Sequence, residues 1–250
     1  PTQRFSDRVE AYVRYRPSYP AGVIETLQRH AGLMPTAEVA DVGAGTGIFT
    51  EQLLPHCQRV FAIEPNDAMR AAAEARFASN PKFVAVRAPA ERTTLPDASV
   101  DLITAAQAFH WFDRPACRAE FQRILRPGAY VALVWNERQI DTTPFLAGYE
   151  ALLQRHGLDY HSVNHTNIDE THLGEFFGPD GFATVQFPYA QQFDFAALKG
   201  RLLSSSYAPA AGHPGYEPMV ESLRELFARQ QVGGRVSFLY DTRLHFGQLS

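Results

Sequence analysis

Apolar residues recur along this chain in two rhythms, and the rhythms alternate. Short apolar runs at residues 38–42, 59–63, 82–86, 99–104 and 129–135 have the length and composition of buried strands. Between them lie segments whose apolar positions return every three or four residues: 21–33, 47 to about 56, the alanine-rich 67–78, and 115–125. The punctuation agrees with the rhythm. Gly32 and Pro35 end the first helix, Pro55 ends the second, Asn66 or Asp67 caps the third, and Arg126-Pro127-Gly128 turns the chain into the fifth strand. Strands that alternate with helices at this spacing form a parallel sheet wound on both faces.

The second half is less regular. Residues 143–156 read as a helix and 158–167 as a polar, histidine-rich loop. A strand starts at 182–187 after the turn Gly178-Pro179-Asp180-Gly181. Residues 195–205 and 216–231 read as helices. After Gly233-Gly234, Val236, Phe238, Tyr240 and Leu244 give a last strand over 235–246. The expected architecture is an α/β, doubly wound, Rossmann-like and mostly parallel seven-stranded sheet with a helical cap. One domain over 1–250 accounts for it: an N-terminal lid and helix (1–36), a central core (37–136), and C-terminal strands with the cap (137–250). At the start of the chain, Ser6 caps a short helix through Val9, Tyr12 and Val13. Tyr15-Arg16-Pro17-Ser18-Tyr19-Pro20 then breaks it, because each proline lacks an N–H and biases its predecessor away from helix.

Composition narrows the function classes. The chain has 250 residues, 45% apolar and 20% charged, with a net charge of −4. That balance gives no reason to expect a nucleic-acid or anionic-membrane partner. Arg4, Arg8, Arg14 and Arg16 make a local basic cluster, which reads as a solvated helix face. Cys57 and Cys117 have no metal or redox spacing and read as reduced structural residues, so a cytoplasmic setting is expected. No apolar run approaches the roughly 20 residues of a membrane span. His156, His161, His165 and His172 are scattered over a polar stretch without ligand spacing and read as solvated loop, so no metal is expected.

The chemistry concentrates at one junction. Val39 to Thr50 runs strand, glycine loop, helix, with Gly43, Gly45 and Gly47 at every second position. Such a loop lets a ligand approach bare backbone beside a helix N-terminus. A dinucleotide loop needs Gly-x-Gly-x-x-Gly/Ala, with a small last residue for close helix packing. Counted from Gly43 that position is Ile48, and counted from Gly45 it is Thr50; neither is small enough. What stands instead is Asp41-x-Gly43-x-Gly45-x-Gly47. It resembles motif I of class I S-adenosylmethionine-dependent methyltransferases. More closely, the chain is similar to the methyltransferase domain of the ubiquinone/menaquinone-biosynthesis and trans-aconitate methyltransferase-like group. Four further stretches come in that family's order: Phe61-Ala62-Ile63-Glu64-Pro65-Asn66-Asp67-Ala68-Met69; Ala90-Glu91 with Leu95-Pro96-Asp97-Ala98-Ser99-Val100-Asp101; Gln107-Ala108-Phe109-His110-Trp111-Phe112; and Leu125-Arg126-Pro127-Gly128-Ala129. The resemblance is strong over residues 37–136 and weaker elsewhere. Pro89 departs from the pattern, standing where relatives often carry an aspartate.

The resemblance implies S-adenosylmethionine as cofactor, held by Asp41, Gly43, Ala44, Gly45, Thr46, Gly47, Glu64, Pro65, Met69, Ala90, Glu91, Gln107 and Arg16. Asp41 would face the sulfonium or amino group through water or backbone. Glu64, about twenty residues past the glycines, would accept the ribose hydroxyls. Met69 would pack on the adenine, and Ala90 and Glu91 would meet its edge. Tyr15, His110, Trp111, Trp135 and Asn136 are the acceptor-binding candidates, and Arg16 suits either a cofactor carboxylate or an anionic acceptor. His110 is the candidate general base, needed for a hydroxyl or amine acceptor and not for a carboxylate. The expected activity is in-line methyl transfer to a small molecule. A non-catalytic cofactor-binding protein and a dinucleotide-dependent oxidoreductase are the alternatives.

Overall fold

The computed structural model describes residues 15–158, 160, 169–205 and 207–250. Its elements run α1 (Ala21–His30), β1 (Glu38–Val42), α2 (Ile48–Leu53), β2 (Arg59–Ile63), α3 (Asp67–Phe77), β3 (Phe83–Val86), β4 (Val100–Ala106), α4 (Arg114–Ile124), β5 (Leu125–Arg138), α5 (Pro144–His156), α6 (Glu170–Phe177), β6 (Ala183–Phe193), α7 (Phe195–Leu203), α8 (Tyr216–Gln230) and β7 (Val236–Gly247). The seven strands form one sheet in the order β3-β2-β1-β4-β5-β7-β6. The first five are parallel, and β7 runs antiparallel to both β5 and β6. The Rossmann-like expectation therefore holds in class and in strand count.

Alternation along each strand builds two apolar layers, because successive side chains point to opposite faces. Val39, Val60, Leu102, Val134 and Leu244 pack with Val23 and Leu27 of α1 and with Phe49 and Leu53 of α2. Ala40, Val42, Ile103, Val131 and Leu133 face Cys117, Phe121 and Ile124 of α4 and Phe176 and Phe177 of α6. A third cluster stands apart: Leu146, Tyr149 and Leu153 of α5, Leu198 and Leu202 of α7, and Leu223 and Leu226 of α8 gather around Phe238 and Tyr240. This is the cap. Burying each large apolar side chain stabilises the fold by roughly 1.5–3 kcal/mol. Cys57 and Cys117 are both buried and free. Among the described residues, no helix is long and apolar enough to cross a membrane, and no acid–His–Cys group is placed to hold a metal ion.

Three differences from the sequence reading have plain causes. First, β5 begins at Leu125 rather than 129, because Leu125 already pairs with Val100; the ladder shifts register before Leu102 meets Tyr130. Arg126 Nη1, 2.6 Å from Asp101 Oδ2, secures that irregular start. Second, β6 continues through Pro188 to Phe193. A proline is tolerated there because β6 is the sheet's edge and one side of its backbone needs no partner. Third, His172 lies on a helix, not in a loop. Asp169 caps α6 by accepting from His172 N at 3.0 Å, while Leu173, Phe176 and Phe177 are buried. The short helix expected after Ser6, Arg4, Arg8 and Arg14, and most of the loop at 158–167 with His161 and His165, lie outside the described residues.

Candidate cofactor site and acceptor cleft

The carboxyl ends of β1, β2, β4 and β5 open into a cleft of about 1390 Å³ under the cap. In open parallel sheets this is where ligands bind. The glycine loop forms its floor. Gly43, Gly45 and Gly47 all have positive φ, at 70°, 58° and 81°. Gly43 and Ala44 donate their N–H groups to Ile63 O at 2.9 and 3.1 Å, which ties the loop to the end of β2. At Gly43 a Cβ would lie 2.5 Å from Ala108 Cβ, so close packing as well as φ requires glycine. At Gly45 the nearest atom to such a Cβ is Met69 Sδ, 3.8 Å away, so its face is open to a ligand.

Two acids brace the loop. Asp41, 1% exposed, accepts from Thr50 Oγ1 at 2.6 Å and Thr104 Oγ1 at 2.9 Å. Burial pushes its carboxyl up to about 6, and the two hydroxyls resist that rise. Glu64 accepts from Gly45 N–H at 2.9 Å and from Asn66 N–H at 2.8 Å. Burial raises its carboxyl as well, against those two N–H groups and Arg70. Asn66 caps α3 by accepting from Met69 N–H, which sets Met69 beside the loop. Thr46 Oγ1 is buried in the cleft wall with no hydrogen-bond partner among the described residues.

These features decide among ligands. Among the described residues no lysine lines the cleft, and its arginines (Arg16, Arg138, Arg201, Arg243) come from the N-terminal strap, the end of β5, the cap and β7, not from the loop. A pyrophosphate would meet Asp41 and Glu64 with no cationic side chain from the loop. A ligand with a cationic sulfonium and amino group, a ribose diol and an apolar base meets acids, an unpartnered hydroxyl, open backbone and a methionine. S-adenosylmethionine fits that set: Gly45 and Thr46 would border it, Glu64 would take the diol, and Met69 the adenine.

The structure brings most of the sequence candidates together. Arg16, Asp41, Gly43, Ala44, Gly45, Thr46, Glu64, Pro65, Met69, Gln107, His110, Trp111, Trp135 and Asn136 all line the cleft. Four candidates fall outside its lining. Gly47 is the N-cap of α2 and sits under Phe77. Ala90 is buried in the core beneath the sheet's rim. Glu91 Oε1 accepts from Asp113 N–H at 2.9 Å. Tyr15 lies over Gly200 of α7, where any Cβ would collide with its ring. Asn136 lines the cleft with both ends of its amide engaged: Nδ2 donates to Ser18 O at 2.9 Å and Oδ1 accepts from Thr242 Oγ1 at 2.5 Å.

His110 sits in a single helical turn, Phe109–Trp111, with its ring 4.8 Å from that of Trp111. Phe109 anchors the turn by packing edge-on against Phe176 at 4.5 Å. Trp135 packs edge-on against His245 at 5.7 Å, and its Nε1 is buried without a partner among the described residues. Burial and Arg243 lower the His245 imidazole to about 4. Sequence reasoning missed the cap wall: Arg138, Arg201, Tyr207, Tyr240 and His245 also line the cleft. One signal was present. Arg201 sits between Leu198 and Leu202 on the apolar stripe of its helix, where a charge is out of place.

Comparison with known proteins agrees with this geometry. Residues 40–133 match the model of the methyltransferase domain family. An uncharacterized methyltransferase of Mycobacterium tuberculosis is 40% identical over 136 residues, 54% of this chain and 52% of that protein, so the match spans about half the relative's length. An uncharacterized methyltransferase-like protein of Schizosaccharomyces pombe is 30% identical over 242 residues, covering 95% of this chain and 92% of the relative. A solved structure from Anaeromyxobacter dehalogenans, assigned as a type II methyltransferase, is 25% identical with a TM-score of 0.70, over 94% of this chain and 98% of that one. The acid-braced glycine loop and these likenesses together show that the chain belongs to the class I S-adenosylmethionine-dependent methyltransferases.

Proposed function

We propose that the protein methylates an oxygen, carboxylate or hydroxyl, of a small organic acceptor held in the cleft. The observation that carries this reading is the continuity of one cleft, from the acidic glycine loop to an aromatic and polar chamber under the cap. When bound, S-adenosylmethionine supplies a methyl group on an already activated sulfonium. The protein's own task is then alignment and exclusion of water. Glu64 and the open backbone at Gly45 fix the cofactor's position. Trp111, Phe112 and Trp135 wall the space beside it, and Trp135 Nε1 offers a hydrogen bond to an acceptor. A carboxylate acceptor needs no base. For a hydroxyl acceptor, His110 takes the proton from the nucleophilic oxygen.

Two measurements test this. In calorimetry, S-adenosylhomocysteine is expected to bind and NAD not; binding of NAD alone sinks the reading. In a transfer screen with isotope-labelled methyl donor, carboxylates, phenols, alcohols and amines are compared, and methyl ester or ether products are expected. Methylation of amines alone would move the acceptor atom to nitrogen. Tight S-adenosylhomocysteine binding without turnover on any acceptor would leave a cofactor-binding protein.

A further inference from the structure

Among the described residues, one buried guanidinium of the cap has no acid to answer it. Arg201 is 7% exposed on α7 and lines the same cleft as the glycine loop. Its Nη1 donates to Ser205 Oγ at 3.2 Å, and its Cζ lies 6.0 Å from the centre of the Phe238 ring. The groups around it are three phenols, Tyr240, which also hydrogen-bonds to it, Tyr149 and Tyr207. Two other arginines of the cleft have their counter-charges: Arg138 holds Glu150, and Arg243 holds Glu137. Among the described residues, no carboxylate lies within ion-pair distance of Arg201. Its Nε is buried and makes no hydrogen bond with them, and neither does the buried hydroxyl of Tyr149.

A buried charge without a counter-ion is costly, and a buried donor without an acceptor adds to that cost. A residue kept only to bond two hydroxyls, Ser205 and Tyr240, would not need a charge, nor a planar fork of five donors. That fork matches a carboxylate, which takes two parallel N–H bonds from it. The opening through which such an anion arrives is the cleft itself. We propose that Arg201 anchors a carboxylate of the methyl acceptor, so that the acceptor is a small organic acid carrying a second oxygen nucleophile. This rests on the methyltransferase reading above. The anchored group is not the one methylated, because a carboxylate gripped by a guanidinium has its lone pairs engaged. The second oxygen points back along the cleft toward the glycine loop. Tyr149 stays protonated beside this anchor, since burial pushes its phenol up, and remains a donor.

The test uses acid–amide pairs on the full chain saturated with S-adenosylhomocysteine. Glutarate is compared with glutaramide and 4-hydroxyphenylacetate with 4-hydroxyphenylacetamide, with phenyl phosphate as a phosphate arm, all by calorimetry and thermal shift. At least one acid is expected to bind about tenfold or more tightly than its amide. Arg201→Gln is expected to bring that ratio to within about twofold while S-adenosylhomocysteine affinity holds. If that variant does not fold, Arg201→Lys decides: the ratio falls about threefold or more with cofactor-product binding intact, because an ammonium lacks the fork. The proposal is overturned if no acid is preferred over its amide, if the variant keeps the wild-type ratio, or if phenyl phosphate alone binds. Failure of S-adenosylhomocysteine to bind the wild type would strike the methyltransferase reading instead. Its binding without acid preference strikes the Arg201 anchor alone.

Discussion

Gly45 N–H donates to Glu64 Oε2 at 2.9 Å across nineteen positions of sequence. This bond makes the open glycine and the strand-end acid one unit. Glu64 Oε1 holds Asn66 N–H at the same time, so the carboxylate joins the glycine loop to the start of α3. Its remaining lone pairs are available to a diol. Glu64→Ala removes that acceptor and leaves two backbone donors without their partner. The expected result is a weakening of S-adenosylhomocysteine binding by about tenfold or more and a loss of about 1–3 kcal/mol of stability. Calorimetry and urea unfolding measure the two separately. Unchanged affinity would remove Glu64 from the site.

Stability should depend on pH through two buried groups of opposite sign. Asp41 titrates near 6 in the fold against an ordinary 3.8. The native state therefore binds the proton more tightly than the unfolded chain. Asp41's contribution is fully present below about pH 4 and is lost as pH rises through about 6. His245 titrates near 4 against an ordinary 6.5. Here the unfolded chain binds the proton more tightly, so stability is present above about pH 6.5 and lost as pH falls through about 4. Asp41→Asn should gain on the wild type by about 2 kcal/mol or more between pH 4 and 7, because a tenfold difference in proton affinity between the folded and unfolded chain is worth about 1.4 kcal/mol. His245→Gln, which keeps a partner for Thr184, should lose less than the wild type between pH 6.5 and 4. Urea unfolding across that range reports both, and parallel curves for wild type and variants would refute the assignments.

The glycine loop, its two acids and the strand–helix alternation were legible in the sequence because each depends on local spacing. Asp41 and Glu64 sit at strand ends that the apolar runs mark out. The cap side was not legible in the same way. Arg201 comes to face the cleft through the packing of α5, α7 and α8 on the tips of β6 and β7; its place on an apolar stripe marks it as buried but not what it faces. Ala90 and Glu91 lie outside the cleft lining for reasons the motif order does not carry: Glu91 accepts from Asp113 N–H, and the Ala90 side chain is packed in the core. His172 was misread because its neighbours are polar, while the helix it joins is held from the other side by Leu173, Phe176 and Phe177.

His110 should separate chemistry from binding. Its turn is fixed by Phe109 in the core, so His110→Ala is expected to leave the loop and the cofactor site undisturbed. For a hydroxyl acceptor, kcat should fall by about a hundredfold or more, with S-adenosylhomocysteine affinity within about twofold. For a carboxylate acceptor, kcat should change little. Steady-state kinetics on both acceptor types decides, and full activity on a hydroxyl acceptor would leave His110 as a wall of the cleft.

Asn136 should govern acceptor binding without touching the acceptor. Its Nδ2 holds Ser18 O, Gln52 Nε2 holds Tyr19 O at 2.8 Å, and Arg16 Nη2 reaches Ser204 O at 3.1 Å. These bonds tie the segment from Arg16 to Tyr19 across the sheet's rim and onto the end of α7, beside the cap chamber. Asn136 Oδ1 meanwhile takes the hydroxyl of Thr242 on β7. Asn136→Asp keeps an acceptor for Thr242 and loses the donor to Ser18, so it releases the strap and keeps the β5–β7 bond, at the cost of a buried carboxylate. Asn136→Ala releases both and leaves the buried Thr242 hydroxyl unpaired, a further cost of about 1–3 kcal/mol. Both variants should raise the acceptor KM by about tenfold, since each must order the strap again on binding. Both variants should lose stability, the alanine through the unpaired Thr242 hydroxyl and the aspartate through a buried carboxylate set against Ser18 O. S-adenosylhomocysteine affinity should stay within about threefold in either, because the glycine loop and Glu64 are braced independently of the strap. An acceptor KM that moves in Asn136→Ala and not in Asn136→Asp would place the effect in the β5–β7 pairing instead of the strap.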